Sequence, residues 1–203
     1  LAARYHDRFQ GNFIQFGEEA IARGMNEPPY AWLVPPDQHD PGSAYHMLER
    51  LHATAIEVHR ADDAFTADGI EYPEGTYILY TAQPFRPHLM DMMERQHYPD
   101  REMYPGGPAE RPYDMAGWTL PLQMGVNYVE VANSFETRAT KLDVIEKPVA
   151  TGTVSPNSVS NQILFIDPST NDAYTFVARA LAAGLSVSRA VRGEERFAPG
   201  AFI

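Results

Sequence analysis

The alternation of apolar and polar positions divides the chain into short elements, and the clearest set lies at residues 31–61, AWLVPPDQHDPGSAYHMLERLHATAIEVHRA. Ala31 to Val34 is a continuous apolar run, the pattern of a short strand covered on both faces. A Pro/Asp/Gly turn follows, with Asp40 placed to cap a helix whose first position is Pro41. Ala44, Met47, Leu48 and Leu51 then recur at i, i+3, i+4 and i+7, one apolar stripe suited to a sheet. Ile56 and Val58 alternate with Glu57 and His59, as a second strand would.

The same order of parts returns at 162–190, QILFIDPSTNDAYTFVARALAAGLSVSRA. Ala44-Tyr45 matches Ala173-Tyr174, and at the same offset Ile56, Val58, Arg60 and Ala61 fall on Leu185, Val187, Arg189 and Ala190. After a shorter connector, YPEGTYI (72–78) meets FAPGAFI (197–203). Internal repetition is a strong statement about fold. Two repeated β-α-β units predict an α/β domain with a largely parallel sheet flanked by helices, covering residues 30–203, with repeats at 30–97 and 162–203.

Outside the repeats, residues 3–23 carry a helical stripe of Tyr5, Phe9, Phe13, Phe16 and Ala20, with Gly24 as the expected stop. Asp68-Gly69 marks a hairpin leading into a strand at 76–80, and Pro84 opens a further helix with Phe85, Leu89, Met92 and Met93 on one face. Val126, Tyr128 (or Val129) and Val131 suggest another strand. The stretch 98–121 is an aromatic, Pro/Gly-rich loop carrying Tyr98, Tyr104, Tyr113 and Trp118, and residues 149–160 read as a connector between the repeats.

Composition narrows the partners. A net charge of −11 over 203 residues leaves no basic stripe for nucleic acid and would repel an anionic membrane. No apolar run has the length of a membrane span. The absence of cysteine removes disulfides, thiolate zinc sites and a cysteine nucleophile. The chain opens at Leu1 without a signal-peptide pattern and stops at Ile203 inside an expected strand. The expectation is a piece of a longer polypeptide, with residues 1–29 a helix joining it to a missing upstream domain.

Candidate chemistry is sparse. His46 and Glu49 form a His-x-x-Glu spacing, but a zinc centre needs a third histidine downstream, and every histidine lies at or before His97. The pair reads as a solvated helix face. Asp37, His39 and Asp40 follow a presumed central strand, where open α/β sheets bind ligands; they could hold a divalent cation or act as acid and base. The plainer alternative is a turn in which Asp40 is only a cap. No Gly-x-Ser-x-Gly elbow surrounds Ser43, Ser169 or Ser186, and Gly106-Gly107 lacks the lysine of a phosphate loop. Arg86 and Arg111 could clamp an anionic ligand beside Tyr113 and Trp118.

Three strings, PPYAWLVPPDQHDPGSA, YPEGTYILYTAQPFRPH and YPDREMYPGGPAERPYDMAGWTLPLQMGV, resemble large bacterial proteins of the carboxypeptidase A-type zinc peptidase family. The similarity is to the region after their catalytic domain, which resembles a flavodoxin-type α/β domain related to class I glutamine amidotransferases. The resemblance implies a secreted or periplasmic parent whose zinc lies in a peptidase domain upstream of Leu1, with no cofactor in this segment. That domain is the implied partner, and the aromatics of the first helix would pack on it; a peptide substrate is a second implied partner. The resulting expectation is a non-catalytic docking or substrate-recognition domain. The alternatives are a small-ligand binding module using the 37–42 turn and the 98–121 loop, or a stand-alone α/β hydrolase.

Overall fold

A computed structural model describes residues 2–97, 99, 101–111, 119–149, 164–193 and 198–203. Helix α1 (Ala2–Asn26) opens the chain. Toward its C-terminal end Ala20 is buried, and a Cβ at Gly17 would reach van der Waals contact with Pro84. Ahead of these, Phe9, Phe13 and Phe16 stand exposed. Gly24 does not end the helix as its type suggested. A Cβ there would lie 2.2 Å from the Thr81 carbonyl oxygen, so glycine is what lets two backbones meet.

Strand β1 (Ala31–Val34) is buried at every residue. Helix α2 (Pro41–Ala53) follows, then β2 (His59–Ala61). The hairpin of β3 (Phe65–Ala67) and β4 (Ile70–Tyr72) turns at Asp68-Gly69, both with positive φ, and leads to β5 (Tyr77–Tyr80). Helices α3 (Arg86–Met93) and α4 (Leu120–Met124), then strands β6 (Val129–Val131) and β7 (Ala139–Lys141), complete the body. Helix α5 (Asn171–Ala182) belongs to the second repeat.

The sheet runs β6-β1-β5-β2-β7, and every pairing in it is antiparallel. This overturns the expected largely parallel, flavodoxin-like sheet. The β1-α2-β2 crossover does join two strands of the same direction, but they are not neighbours. Strand β5, returning through the β3-β4 hairpin, inserts between them and runs against both, a split β-α-β arrangement. The continuous apolar run of β1 had suggested a parallel sheet. Its burial on both faces has another cause, because the two faces are covered by different layers.

On one face Trp32, Val34 and Leu79 pack with Met47, Leu48 and Leu51 of α2 and Leu89 and Met93 of α3. On the other, Ala31, Leu33, Ile78 and Val131 are roofed by Phe65, Ala67 and Tyr72 of the hairpin. An aromatic stack extends that roof from Tyr72 through Phe65 and Phe135 to Tyr80. Asp68 fastens it by accepting bonds from the Ala132 and Asn133 amides at 2.6 and 2.9 Å.

Residues matched in sequence between the repeats make matching backbone bonds. In the first unit Tyr77 pairs with Val34 and Arg60; in the second, Phe202 bridges Ile166 and Arg189. The Gly75 amide donates to Ala61 as Gly200 does to Ala190, and Ile56 to Leu51 as Leu185 does to Ala180. Among the described residues the second unit has only isolated bridges where the first has strands, and Phe176, Leu181 and Leu185 stay exposed.

Candidate functional site

The turn after β1 is held by one carboxylate. Asp40 caps its own helix, accepting from the Gly42 amide and the Ser43 hydroxyl at 3.0 Å each. Its Oδ2 also accepts from the Asn171 amide at 3.0 Å, at the first turn of α5, whose own cap residue Thr170 makes no side-chain bond there. Asn171 Nδ2 donates in turn to Ser43 Oγ at 3.0 Å. A single side chain therefore closes two helix N-termini and joins the repeats. Burial pushes the Asp40 carboxyl up, but bonds from Asn171, Ser43 and Gly42 outweigh it and leave the pKa below the usual value.

Beside this turn lies a recess of about 250 Å³ lined by Val34, Pro35, Pro36, Gln38, Pro41, Ala44, Tyr45, Arg60, Gly75, Tyr77 and Pro148. Each wall follows from the fold. Pro35 and Pro36 end β1 where no further ladder donor is wanted. Pro41 and Tyr45 come from the first turns of α2, while Arg60 and Tyr77 are direct partners across β2 and β5. Gly75, at φ 83°, supplies the left-handed turn into β5. Gln38 fixes the turn against the loop before β6, donating to the Pro35 and Asn127 carbonyls at 2.8 and 2.9 Å and accepting from the Asn127 amide at 2.8 Å.

The polar groups left over are telling. The Arg60 guanidinium is exposed and has no hydrogen bond or ion pair among the described residues. The Tyr45 hydroxyl makes one long bond, 3.4 Å to Glu49. The second unit offers a comparison, because Tyr174, Arg189, Gly200 and Phe202 hold the positions of Tyr45, Arg60, Gly75 and Tyr77. There the group is closed on itself. Arg189 lies over the Phe202 ring at 5.4 Å and donates to the Gly200 carbonyl at 3.1 Å, and Tyr174 meets Phe202 edge-on at 5.2 Å.

The residues named from sequence land elsewhere. Asp37 and His39 are exposed on the turn, and Asp40 is occupied as a double cap. Arg86, in the first turn of α3, donates to the Pro28 carbonyl at 3.4 Å, and Arg111 is exposed. Tyr113 and Trp118 lie outside the described residues. His46 and Glu49 stand 3.5 Å apart on a solvated helix face, and no cluster of three metal-ligating side chains occurs among the described residues. The 37–42 turn does border the recess, through Gln38 and Pro41, but Arg60, Tyr45 and Tyr77 were not singled out. The signal that could have found them was the repeat itself, which aligns Tyr45 with Tyr174 and Arg60 with Arg189.

A larger recess of about 570 Å³ is lined by Glu94, Glu130, Arg95 and His97 with Met90 and Tyr128. It sets Arg95, which has no ion pair among the described residues, beside the carboxylates of Glu94 and Glu130, whereas no carboxylate lines the recess of Arg60. On the opposite sheet face, burial holds His59 below the ordinary histidine range, with Glu57 opposing and Lys141 adding to the effect. Its Nδ1 is buried without a partner and its ring meets Tyr80 edge-on at 5.1 Å.

No protein-family model, curated protein or solved structure matches this chain. No described helix is long and apolar enough to cross a membrane.

Proposed function

We propose that this chain is a recognition domain without a reaction centre of its own, and that the recess beside the 35–41 turn is its ligand seat. The observation that carries this reading is an arginine that has no hydrogen bond or ion pair among the described residues and lines a small recess together with tyrosines and prolines. Concave, mostly apolar sites with a few oriented polar groups are the usual form of small-ligand seats. On this reading the domain serves a larger secreted, zinc-carboxypeptidase-like polypeptide, as the resemblance of its Tyr104–Pro108 and Gly117–Pro121 strings implies. The exposed stripe of Phe9, Phe13 and Phe16 is then the side turned toward the peptidase domain.

Amide spectra of the 203-residue chain, titrated with a panel of small acids, amides and sugars, test the seat. Saturable shifts at Gly75 and Tyr77 are expected for at least one class. Cleavage of C-terminal peptide reporters by the chain, abolished by a chelator, would show instead that it carries a metal-dependent reaction.

A further inference from the structure

Resting on the reading of the recess as a ligand seat, we propose that its ligand is a small aromatic acid, a single flat ring carrying one carboxylate. The second unit shows what satisfies this arrangement of side chains. Arg189 takes an oxygen acceptor in the plane of its guanidinium, the Gly200 carbonyl, and a flat ring against its face, Phe202. In the first unit the matching Gly75 and Tyr77 line the recess together with Arg60, but Arg60 makes neither the hydrogen bond nor the ring contact among the described residues. A ligand that completes the site therefore brings both an acceptor and a ring.

The acceptor is best a carboxylate. A guanidinium presents parallel donors that match its two oxygens, and a charge-assisted pair is roughly twice as strong as a neutral bond. The chain carries a net charge of −11, so an uncommitted cation lining a cavity is a local exception to a field that otherwise repels anions. The ring follows from the walls. Two tyrosines, Tyr45 and Tyr77, and four prolines line the recess, a lining suited to a flat apolar ring. The volume, about 250 Å³, lies below the roughly 300 Å³ at which drug-sized sites begin, which limits the ligand to one ring with a short acid tail. A free acid and the last residue of a peptide share this chemistry.

The test follows the Gly75 and Tyr77 amide resonances of the full chain during titration with phenylacetate, its neutral twin phenylacetamide, and a tripeptide ending in phenylalanine with a free carboxylate. Phenylacetate is expected to bind saturably, and Arg60→Gln to weaken it about tenfold or more, as loss of a charge-assisted pair requires. Arg189→Gln, in the closed copy, should leave affinity unchanged. Tighter binding of the tripeptide assigns the chemistry to a peptide end, and weaker binding assigns it to a free acid. If phenylacetamide binds as well as phenylacetate, or Arg60→Gln binds as wild type, the aromatic-acid proposal falls while the seat stands. If acids, amides and sugars all leave both resonances still, the seat falls with it.

Discussion

Replacing Asp40 with alanine removes one carboxylate and breaks bonds on two helices together. Lost are the cap on α2, through the Gly42 amide and Ser43 hydroxyl, and the bond to the Asn171 amide that closes α5. A cap deletion costs about 1 kcal/mol, and leaving the part-buried Asn171 amide without its acceptor costs up to about as much again. The expected loss is about 1–2 kcal/mol, which lowers the melting temperature by roughly 2–8 °C for a chain of this size. Asp40→Asn retains an acceptor for Gly42 but turns donors toward Asn171, so it should lose the α5 share alone. The Asp40 carboxyl titrates below its unfolded value, so its contribution is complete above the unfolded pKa and disappears as pH falls through the folded one. The gap between wild type and Asp40→Asn should therefore be full at neutral pH and shrink in strong acid. Urea unfolding at several pH values, with hydrogen exchange at the Gly42 and Asn171 amides, measures all of this. Protection at Asn171 unchanged in Asp40→Ala would refute the idea that one carboxylate serves both helices.

Further outcomes follow from single backbone and burial features. Ala55, just past the Thr54 cap of α2, has φ 67°, where the second unit has Gly184 at φ 80°, so Ala55→Gly should stabilise by about 1 kcal/mol in denaturant unfolding; a loss would contradict the strain argument. Gly24→Ala places a Cβ against the Thr81 carbonyl and should cost about 3 kcal/mol, with faster proteolysis of α1 than of the body. His59 is held neutral by burial, so its contribution is whole above the ordinary histidine pKa and is lost as pH falls through the lower folded value. Unfolding free energy measured between pH 7 and acid should fall less steeply in His59→Phe, and parallel curves would count against the assignment.

Much of the local structure was legible in the chain. Asp40 as cap, Pro41 in the first turn, the stripe of Met47, Leu48 and Leu51, and the Asp68-Gly69 hairpin follow from capping geometry, helical spacing and the residues that tolerate positive φ. These are short-range constraints, written within a few residues of where they act. The strings aligned between the two stretches also share backbone bonds, the Gly75 and Ile56 amides donating as the Gly200 and Leu185 amides do.

Strand neighbours were not legible. Periodicity tells how many faces of a strand are covered, and β1 reads the same whether α2 and the β3-β4 hairpin cover an antiparallel sheet or helices cover a parallel one. The insertion of β5 between β1 and β2 is decided by where the hairpin lands, a contact between residues far apart in sequence. The recess has the same origin. Pro35, Tyr45, Arg60 and Tyr77 are ordinary residues until antiparallel pairing sets β2 beside β5 and brings the turn after β1 next to them, so that all four line one recess.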